Sequence, residues 1–299
     1  MEGVDMEMGF IGVGYMGRHI AKNLINSGHD LKIFDIRKEA AAELLQMGAT
    51  WADNPSQASE DTQVTFMSLP TPKDVADVVL GEGGIFEGTN PSPTIFDLST
   101  TSIDIIEQIS DAASKKKISF LDAPVSGGTE GAIKGTLCVM VGGDEEVFQN
   151  HKEILELIGD KVIYCGNVGS GSICKIVNNL IGLSVNVLLS EAFTLGVKAG
   201  MSPDILFDAI SKSSGNTQSM QVFPATLFKR NFEPGFQVDL AAKDVGLATE
   251  MGRKMRIPME LSNIVQQRYI EAQNQGLGQL SANAVALIQE TRSGVEIKQ

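Results

Sequence analysis

The stretch GFIGVGYMGRHIAKNLINSGHDLKIFD, residues 9–35, decides the fold. It opens on a short apolar run, turns on Gly12, Gly14 and Gly17, keeps helical spacing to Ser27 and closes on a second β-rich run ending at Asp35. Strand, glycine-rich turn, helix and strand in this order make one βαβ unit, and the G-x-G-x-x-G spacing gives each glycine a separate task. Gly12 permits the tight turn, Gly14 lets the backbone approach a pyrophosphate, and Gly17 lets the helix pack closely on its strand. Phe10, Ile11, Tyr15 and Met16 fill the same turn and are expected beside the ligand. The helix N-terminus offers unpaired N–H groups and its positive dipole end to phosphate. Asp35 falls where an acidic residue accepts hydrogen bonds from the adenosine ribose. The expected ligand is therefore a nicotinamide dinucleotide, NAD in preference to NADP, because a carboxylate repels a 2′-phosphate. Arg37, two residues on, opposes that preference.

Outward from this unit the alternation continues. A helical pattern covers Lys38 to Met47, then VTFMSL, a helix from Pro72, TIFDLS, a helix from Ser102 to Lys116, ISFLDAPV, TLCVMVGG, a helix from Asp144 to Ile158, and KVIYC. Strands separated by single helices imply parallel crossovers, hence a Rossmann-type, doubly wound, mostly parallel sheet. After residue 168 the strand signals fade. SPDILFDAIS, DLAAKDVGLATEMGRKM and MELSNIVQQRYIEAQNQG read as amphipathic helices, with Pro203 and Pro258 near helix starts. Residues 1–165 are expected to form an α/β dinucleotide-binding domain. Residues 166–299 are expected to form an all-α domain that completes the substrate site and carries oligomerisation, joined to the first by a long helix.

Composition narrows the partners. A chain of 299 residues suits two domains, and its net charge of -13 repels phosphate backbones and acidic headgroups, which disfavours nucleic acid and membrane surfaces. Small molecules are the better partners. The acidic start MEGVDMEMGFIG runs straight into a strand pattern and reads as neither signal peptide nor transit sequence, so the expected compartment is the cytoplasm. Cys138, Cys165 and Cys174 are odd in number and form no C-x-x-C pair, which suits reduced thiols packed as small hydrophobes, with no disulfide and no metal site.

The long helix raises the chemical question. GSGSICKIVNNLIGLSVNVLLSEAF, residues 169–193, holds one lysine in an apolar run whose next charge is Glu191. Asn178, Asn179, Ser184 and Asn186 interrupt it, which argues against a bilayer span. Oxidation of an alcohol by a nicotinamide needs a group to accept the hydroxyl proton. His19, His29 and His151 do not fall where a parallel sheet presents its site, and none of the three tyrosines is followed four positions later by lysine. Lys175 remains. It shares a helix face with Asn179, four residues on, and burial would disfavour its charged form and bring its pKa into a useful range. Asn179 offers a donor and an acceptor to hold substrate and lysine in register. The pattern alone equally allows a lysine whose stem lies on the core and whose head reaches water.

At this point the chain resembles the β-hydroxyacid dehydrogenase family over essentially its whole length. The likeness rests on four motifs in the family's order: GFIGVGYMG, DAPVSGGTEGAIKGTL, GSGSICKIVNNL and DLAAKDVGLA. The resemblance implies that Lys175 is the catalytic lysine and Asn179 its partner. It implies that Ser126, Gly127 and Gly128 hold the substrate carboxylate, for which successive backbone N–H groups form a suitable concavity. Leu69, Pro70, Asp74 and Thr100 then line the cofactor, and Lys243 reaches the nicotinamide end near the substrate. The implied reaction is reversible hydride transfer between the nicotinamide and C3 of a small 3-hydroxy acid, with 3-hydroxyisobutyrate favoured.

Tartronate semialdehyde, 4-hydroxybutyrate, 2-(hydroxymethyl)glutarate and sulfolactaldehyde stay open as substrates. SKSSGNTQSM, residues 211–220, is a candidate specificity wall without arginine, so a second anionic group is not expected unless Lys212 turns inward. An imine reductase on the same scaffold is disfavoured by Lys175, and a non-catalytic dinucleotide-binding module by Lys175 and Asn179 together. The resemblance implies a homodimer or homotetramer.

Overall fold

The computed structural model describes residues 6–233 and 235–299. Residues 1–5 of the acidic start, read above as free of a targeting signal, lie outside the described residues. The chain divides into two units, one ending at Lys175 and the other beginning at Ile176.

The first unit alternates as its sequence pattern dictates. In order it contains β1 (Glu7–Ile11), α1 (Gly17–Asn26), β2 (Asp30–Phe34), α2 (Ala42–Gln46), β3 (Thr50–Trp51), α3 (Pro55–Ser59) and β4 (Val64–Met67). There follow α4 (Pro72–Leu80), β5 (Thr94–Asp97), α5 (Ile103–Lys116), β6 (Ser119–Asp122), β7 (Val125–Ser126), α6 (Gly128–Lys134), β8 (Cys138–Gly142), α7 (Glu145–Glu156) and β9 (Lys161–Gly166). The strands form one sheet in the order β3-β2-β1-β4-β5-β6-β8-β7, with β9 on β8. Pairing is parallel from β3 through β6 and between β8 and β9, and antiparallel where β8 meets β6 and β7.

Both sheet faces are covered, so the strands read as near-continuous apolar runs whose side chains alternate between two cores. Phe10, Phe66, Phe96 and Leu121 pack with Ile20, Leu24, Phe148 and Leu155 on one face. Ile11, Met67, Ile95 and Phe120 pack with Val75, Val79, Ile106 and Ile109 on the other. The rings of Phe10, Phe66 and Phe96 stack across three neighbouring strands, with centroids 6.2 and 5.5 Å apart. This row holds β1, β4 and β5 in register, and their carboxyl ends carry the site.

Several elements depart from the sequence reading. The helix expected over Lys38 to Met47 is a 3-10 turn at Lys38–Ala41 followed by α2. ISFLDAPV is broken into β6 and β7 around Pro124, whose missing N–H cannot enter a ladder. The short helices α3 and α6 were not expected. Cys174 is exposed rather than packed.

The helix α8 (Ser170–Lys198) begins in the first unit, and the division between units falls inside it. The sequence boundary at 165/166 therefore differs from the contact boundary by the first turns of this helix. By length and composition α8 could cross a membrane, a test that the core helix of a soluble protein also passes.

The second unit adds α9 (Pro203–Ser211), α10 (Val238–Lys254), α11 (Glu260–Asn274) and α12 (Val285–Ser293) to the rest of α8. One core gathers Leu183, Val187, Val245, Val265, Tyr269 and Ile288, and a second gathers Phe193, Phe223 and Phe228. The Tyr269 hydroxyl donates to the Leu183 carbonyl at 3.4 Å, and full burial pushes its pKa upward. Among the described residues the unit has no strand, only an isolated bridge between Gln237 and Ser281.

Candidate active site

The carboxyl ends of β1, β2, β4, β5 and β7 carry the predicted residues of the first unit other than Lys175, and open α/β sheets bind ligands at the carboxyl ends of their strands. At the end of β1 the three glycines differ in what demands them. Gly12 has φ +88°, and a Cβ there would lie 2.4 Å from the Ser68 carbonyl oxygen. At Gly17 a Cβ would lie 1.9 Å from the Gly12 carbonyl oxygen. Both are required by the chain's own packing. Gly14 is different: no atom lies within 4 Å of its Cβ position, and its φ lies outside the left-handed region. Nothing in the chain asks for glycine there, and the open space leaves the backbone accessible to a group outside the chain. No side chain caps α1, which leaves its N-terminal dipole end open to an anion, although the Arg18 and His19 N–H groups already donate to the Gly14 and Met16 carbonyls at 3.3 and 3.1 Å.

Asp35 braces this loop. Its Oδ2 accepts from the Val13 N–H at 2.9 Å and its Oδ1 from the Arg37 N–H at 2.9 Å. A carboxylate has lone pairs left over for ribose hydroxyls. These residues fit a dinucleotide, with Gly14 and the α1 N-terminus at the pyrophosphate and Asp35 at the ribose.

The flanking residues divide. Tyr15 is half exposed, with the Arg18 guanidinium 5.6 Å from its ring centroid, and Met16 is half-buried at the α1 N-cap. Phe10 and Ile11 can offer the turn only their backbone. Both side chains are buried, each in one of the two sheet cores, because consecutive strand residues point to opposite faces. After β4, the Leu69 N–H donates to the Ser99 hydroxyl at 2.8 Å, and Pro70 is exposed beside it. Asp74 is engaged locally: its N–H donates to Thr71 Oγ1, the N-cap of α4, and its Oδ2 accepts from that hydroxyl at 2.5 Å. Thr100 is half-buried in the turn after β5.

Ser126 ends β7, and Gly127 and Gly128 follow with φ of +138° and +65°, giving an α6 N-terminus that no side chain caps. Ser126 lies opposite Cys138 in the antiparallel register of β7 and β8. Burial pushes the Cys138 thiol pKa up, while the Lys161 and Lys175 ammonium groups pull it down. Lys175 is thus close enough to act electrostatically on the residue that faces Ser126. It is 8% exposed, so most of the side chain is withdrawn from water.

In the second unit Asn179 is spoken for. Its Nδ2 donates to Asp244 Oδ2 at 2.6 Å, and its Oδ1 accepts from Asn178 Nδ2 at 3.0 Å. Lys243 Nζ stands 3.1 Å from Asp244 Oδ1. Asp244, 1% exposed, therefore orients both predicted residues, and the sequence reading passed over it. The signal was present: Ala241, Asp244, Val245 and Ala248 form the buried stripe of α10, and an acid in an apolar register needs partners. Lys212 pairs with Asp208 at 2.6 Å on the surface.

The histidines stand apart from this constellation. His29 accepts from the Met6 N–H, and His151 packs edge-on against Phe96. Burial, then the neighbouring Arg18, lowers the pKa of His19.

Comparison with known proteins identifies both halves of the chain. Residues 7–166 match the NAD-binding domain of 6-phosphogluconate dehydrogenase, and residues 169–289 match the NAD-binding domain of NADP-dependent 3-hydroxyisobutyrate dehydrogenase. The chain is 35% identical over 295 residues to 2-(hydroxymethyl)glutarate dehydrogenase of Eubacterium barkeri, covering 98% of each. It is 37% identical over 286 residues to a probable mitochondrial 3-hydroxyisobutyrate dehydrogenase of Dictyostelium discoideum, covering 93% of this chain and 89% of that one. Among solved structures, Mycobacterium tuberculosis 3-hydroxyisobutyrate dehydrogenase with L-serine superposes with a TM-score of 0.84 at 29% identity, over 96% of this chain and 99% of that one.

Proposed function

This chain belongs to the β-hydroxyacid dehydrogenase family, and we propose that it is an NAD-dependent dehydrogenase of 3-hydroxyisobutyrate or a close C3 to C4 hydroxy acid, with Lys175 as general acid–base. Its membership makes it an oxidoreductase that acts on CH–OH donors with a nicotinamide cofactor. The observation that carries the finer reading is the buried ammonium of Lys175, whose charge reaches the residue opposite Ser126.

Each residue then has a task. The Ser126 hydroxyl and the backbone around Gly127 and Gly128 hold the substrate carboxylate, since consecutive glycines with positive φ turn their N–H groups into an anion-binding concavity. With that end pinned, the hydroxyl is held at Lys175, and positioning of this kind lowers the barrier by removing rotational and translational freedom beforehand. The Lys175 side-chain nitrogen takes the hydroxyl proton during oxidation and returns it during reduction. The bound nicotinamide supplies the hydride acceptor for C3. Asn179, one helical turn from Lys175 and oriented by Asp244, donates to the substrate oxygen through its remaining capacity, and Lys243 adds positive charge on the same carboxylate of Asp244.

Asp35 supports NAD over NADP by charge. The outward pairing of Lys212 with Asp208 supports a substrate with a single anionic group. The chain's identity to a dehydrogenase of a dicarboxylic acid points the other way, so a substrate panel decides. Purified protein is assayed by nicotinamide absorbance with 3-hydroxyisobutyrate, 4-hydroxybutyrate and 2-(hydroxymethyl)glutarate, each with NAD and NADP, and with tartronate semialdehyde and sulfolactaldehyde, each with NADH and NADPH. The expected result is the highest kcat/KM with 3-hydroxyisobutyrate and NAD. A tenfold preference, or about 1.4 kcal/mol, for the dicarboxylate or for NADP would overturn the corresponding part. Dinucleotide binding without turnover of any member would make the chain a binding module instead.

Two features support a homo-oligomer working in a reducing compartment such as the cytoplasm. Ile181, Leu188 and Leu195, spaced seven apart on α8, are each more than half exposed and form a stripe suited to a second copy. All three cysteines are free.

A further inference from the structure

The first turn of α8 lacks the side chains that usually close a helix start. Its N-cap position is Gly169, which has no side chain, and the residue three further on, Ser172, has a buried hydroxyl without a hydrogen-bond partner. In a capping box the N-cap side chain accepts from the third helical N–H, and the third side chain accepts from the N-cap N–H. Here one carboxylate from elsewhere does both. Asp122, the last residue of β6, accepts from the Gly169 N–H through Oδ1 at 2.6 Å and from the Ser172 N–H through Oδ2 at 2.7 Å. Both lengths are at the short end of the range for charge-assisted bonds.

The contact is tight on every side. Asp122 is 0% exposed. A Cβ on Gly171 would lie 2.2 Å from the Met140 carbonyl oxygen and 2.8 Å from that of Asp122, and one on Gly142 would lie 2.6 Å from Asp122 Oδ1. Glycine at both places lets the helix start press directly on the ends of β6 and β8. Lys175 follows Ser172 by three residues, less than one turn, so the height and rotation of its Cα are set where Asp122 grips the helix.

We propose that Asp122 is the positioning residue of the catalytic lysine: it replaces a capping box from β6 and thereby fixes where Lys175 meets the substrate. This rests on the assignment of Lys175 as general acid–base. Asp122 itself touches neither substrate nor cofactor in this account.

The anchor is also proton-linked. Burial lifts the Asp122 pKa from 3.8 to about 7, against the pull of its backbone hydrogen bonds to Gly169 and Ser172; Asp97, its register partner on β5, adds to the rise. Cys165 on β9 feels the Asp122 charge, and Cys174 and Lys175 are the titratable side chains next along α8. Because the folded pKa lies above the unfolded one, the stability contributed by this group is full below about pH 4 and is lost as pH rises through about 7. Ionisation meanwhile leaves both oxygens free to accept, which tightens the grip on α8. Wild-type thermal stability should therefore fall through neutrality while kcat rises.

The test compares wild type, Asp122→Asn, Asp122→Ala and Lys175→Met with 3-hydroxyisobutyrate and NAD across roughly pH 5.5 to 9, alongside thermal melts and amide exchange of residues 166–176. Asn is near-isosteric but turns an N–H toward one of the two backbone donors. Asp122→Asn is expected to lower kcat by about 10–100-fold, the scale of an ångström-sized misplacement, with KM within about threefold. It should erase the step near pH 7 from both kcat and the melting temperature, and speed amide exchange at Gly169 and Ser172. Asp122→Ala should do the same more strongly. Retention of kcat and of its pH step in Asp122→Asn, with Lys175→Met inactive, overturns the inference and leaves the lysine assignment standing. So does a loss of activity that only tracks the fraction unfolded. Full activity in Lys175→Met overturns the lysine assignment itself, and this inference with it.

Discussion

Lys175→Met is expected to lower turnover by about 10²–10⁴-fold, the usual worth of a general acid–base, while dinucleotide affinity stays within about twofold. Methionine keeps the length of the stem and its apolar contacts and removes only the nitrogen that exchanges the proton. The site is 8% exposed, so the substitution replaces a buried polar head by a thioether in a place already shielded from water, and stability should hold or rise. Steady-state rates in both directions, with NADH binding followed by fluorescence, check this. A variant that turns over at the wild-type rate rules out Lys175 as the acid–base.

Gly14→Val should separate ligand from fold with similar force. The Cβ position at Gly14 has no neighbour within 4 Å and its backbone is outside the left-handed region, so the unliganded chain should accept valine with little change in melting temperature. The new side chain occupies the space through which the pyrophosphate reaches the loop. Losing hydrogen bonds to a charged phosphate, each worth about 1.5–3 kcal/mol, predicts weakening of NAD binding by about 100-fold or more. Gly17→Ala is the contrast: with its Cβ 1.9 Å from the Gly12 carbonyl oxygen, it should cost both stability and affinity. Titration of NADH with a parallel melt distinguishes the two. Unchanged affinity in Gly14→Val would mean that the dinucleotide does not pass over this loop.

Much of the site was legible because it depends on short-range pattern. The glycine spacing at residues 12–17 and the acid at 35 follow from what a local backbone must do, whereas Gly127 and Gly128 entered only through the family resemblance. Lys175 stood out because one charge interrupts a long apolar helix. For Phe10 and Ile11 motif membership says only that the residues lead into a turn, while strand alternation sends their side chains into the cores. Asp74 carries a local cap that its spacing after Thr71 would have revealed.

By itself the sequence determined the alternation of the main strands and helices, the position of the glycine-rich turn and the placement of one lysine in an apolar helical run, since periodicity and glycine placement act over a few residues; that Lys175 is buried was decided by the tertiary structure. Only the tertiary structure decided which distant groups those residues answer to. Asp122 meets Gly169 across 47 positions and Asn179 meets Asp244 across 65, pairings that no local pattern encodes. The physical reason is that a buried polar group must find partners wherever packing brings them, and packing is set by the whole core rather than by neighbours in the chain.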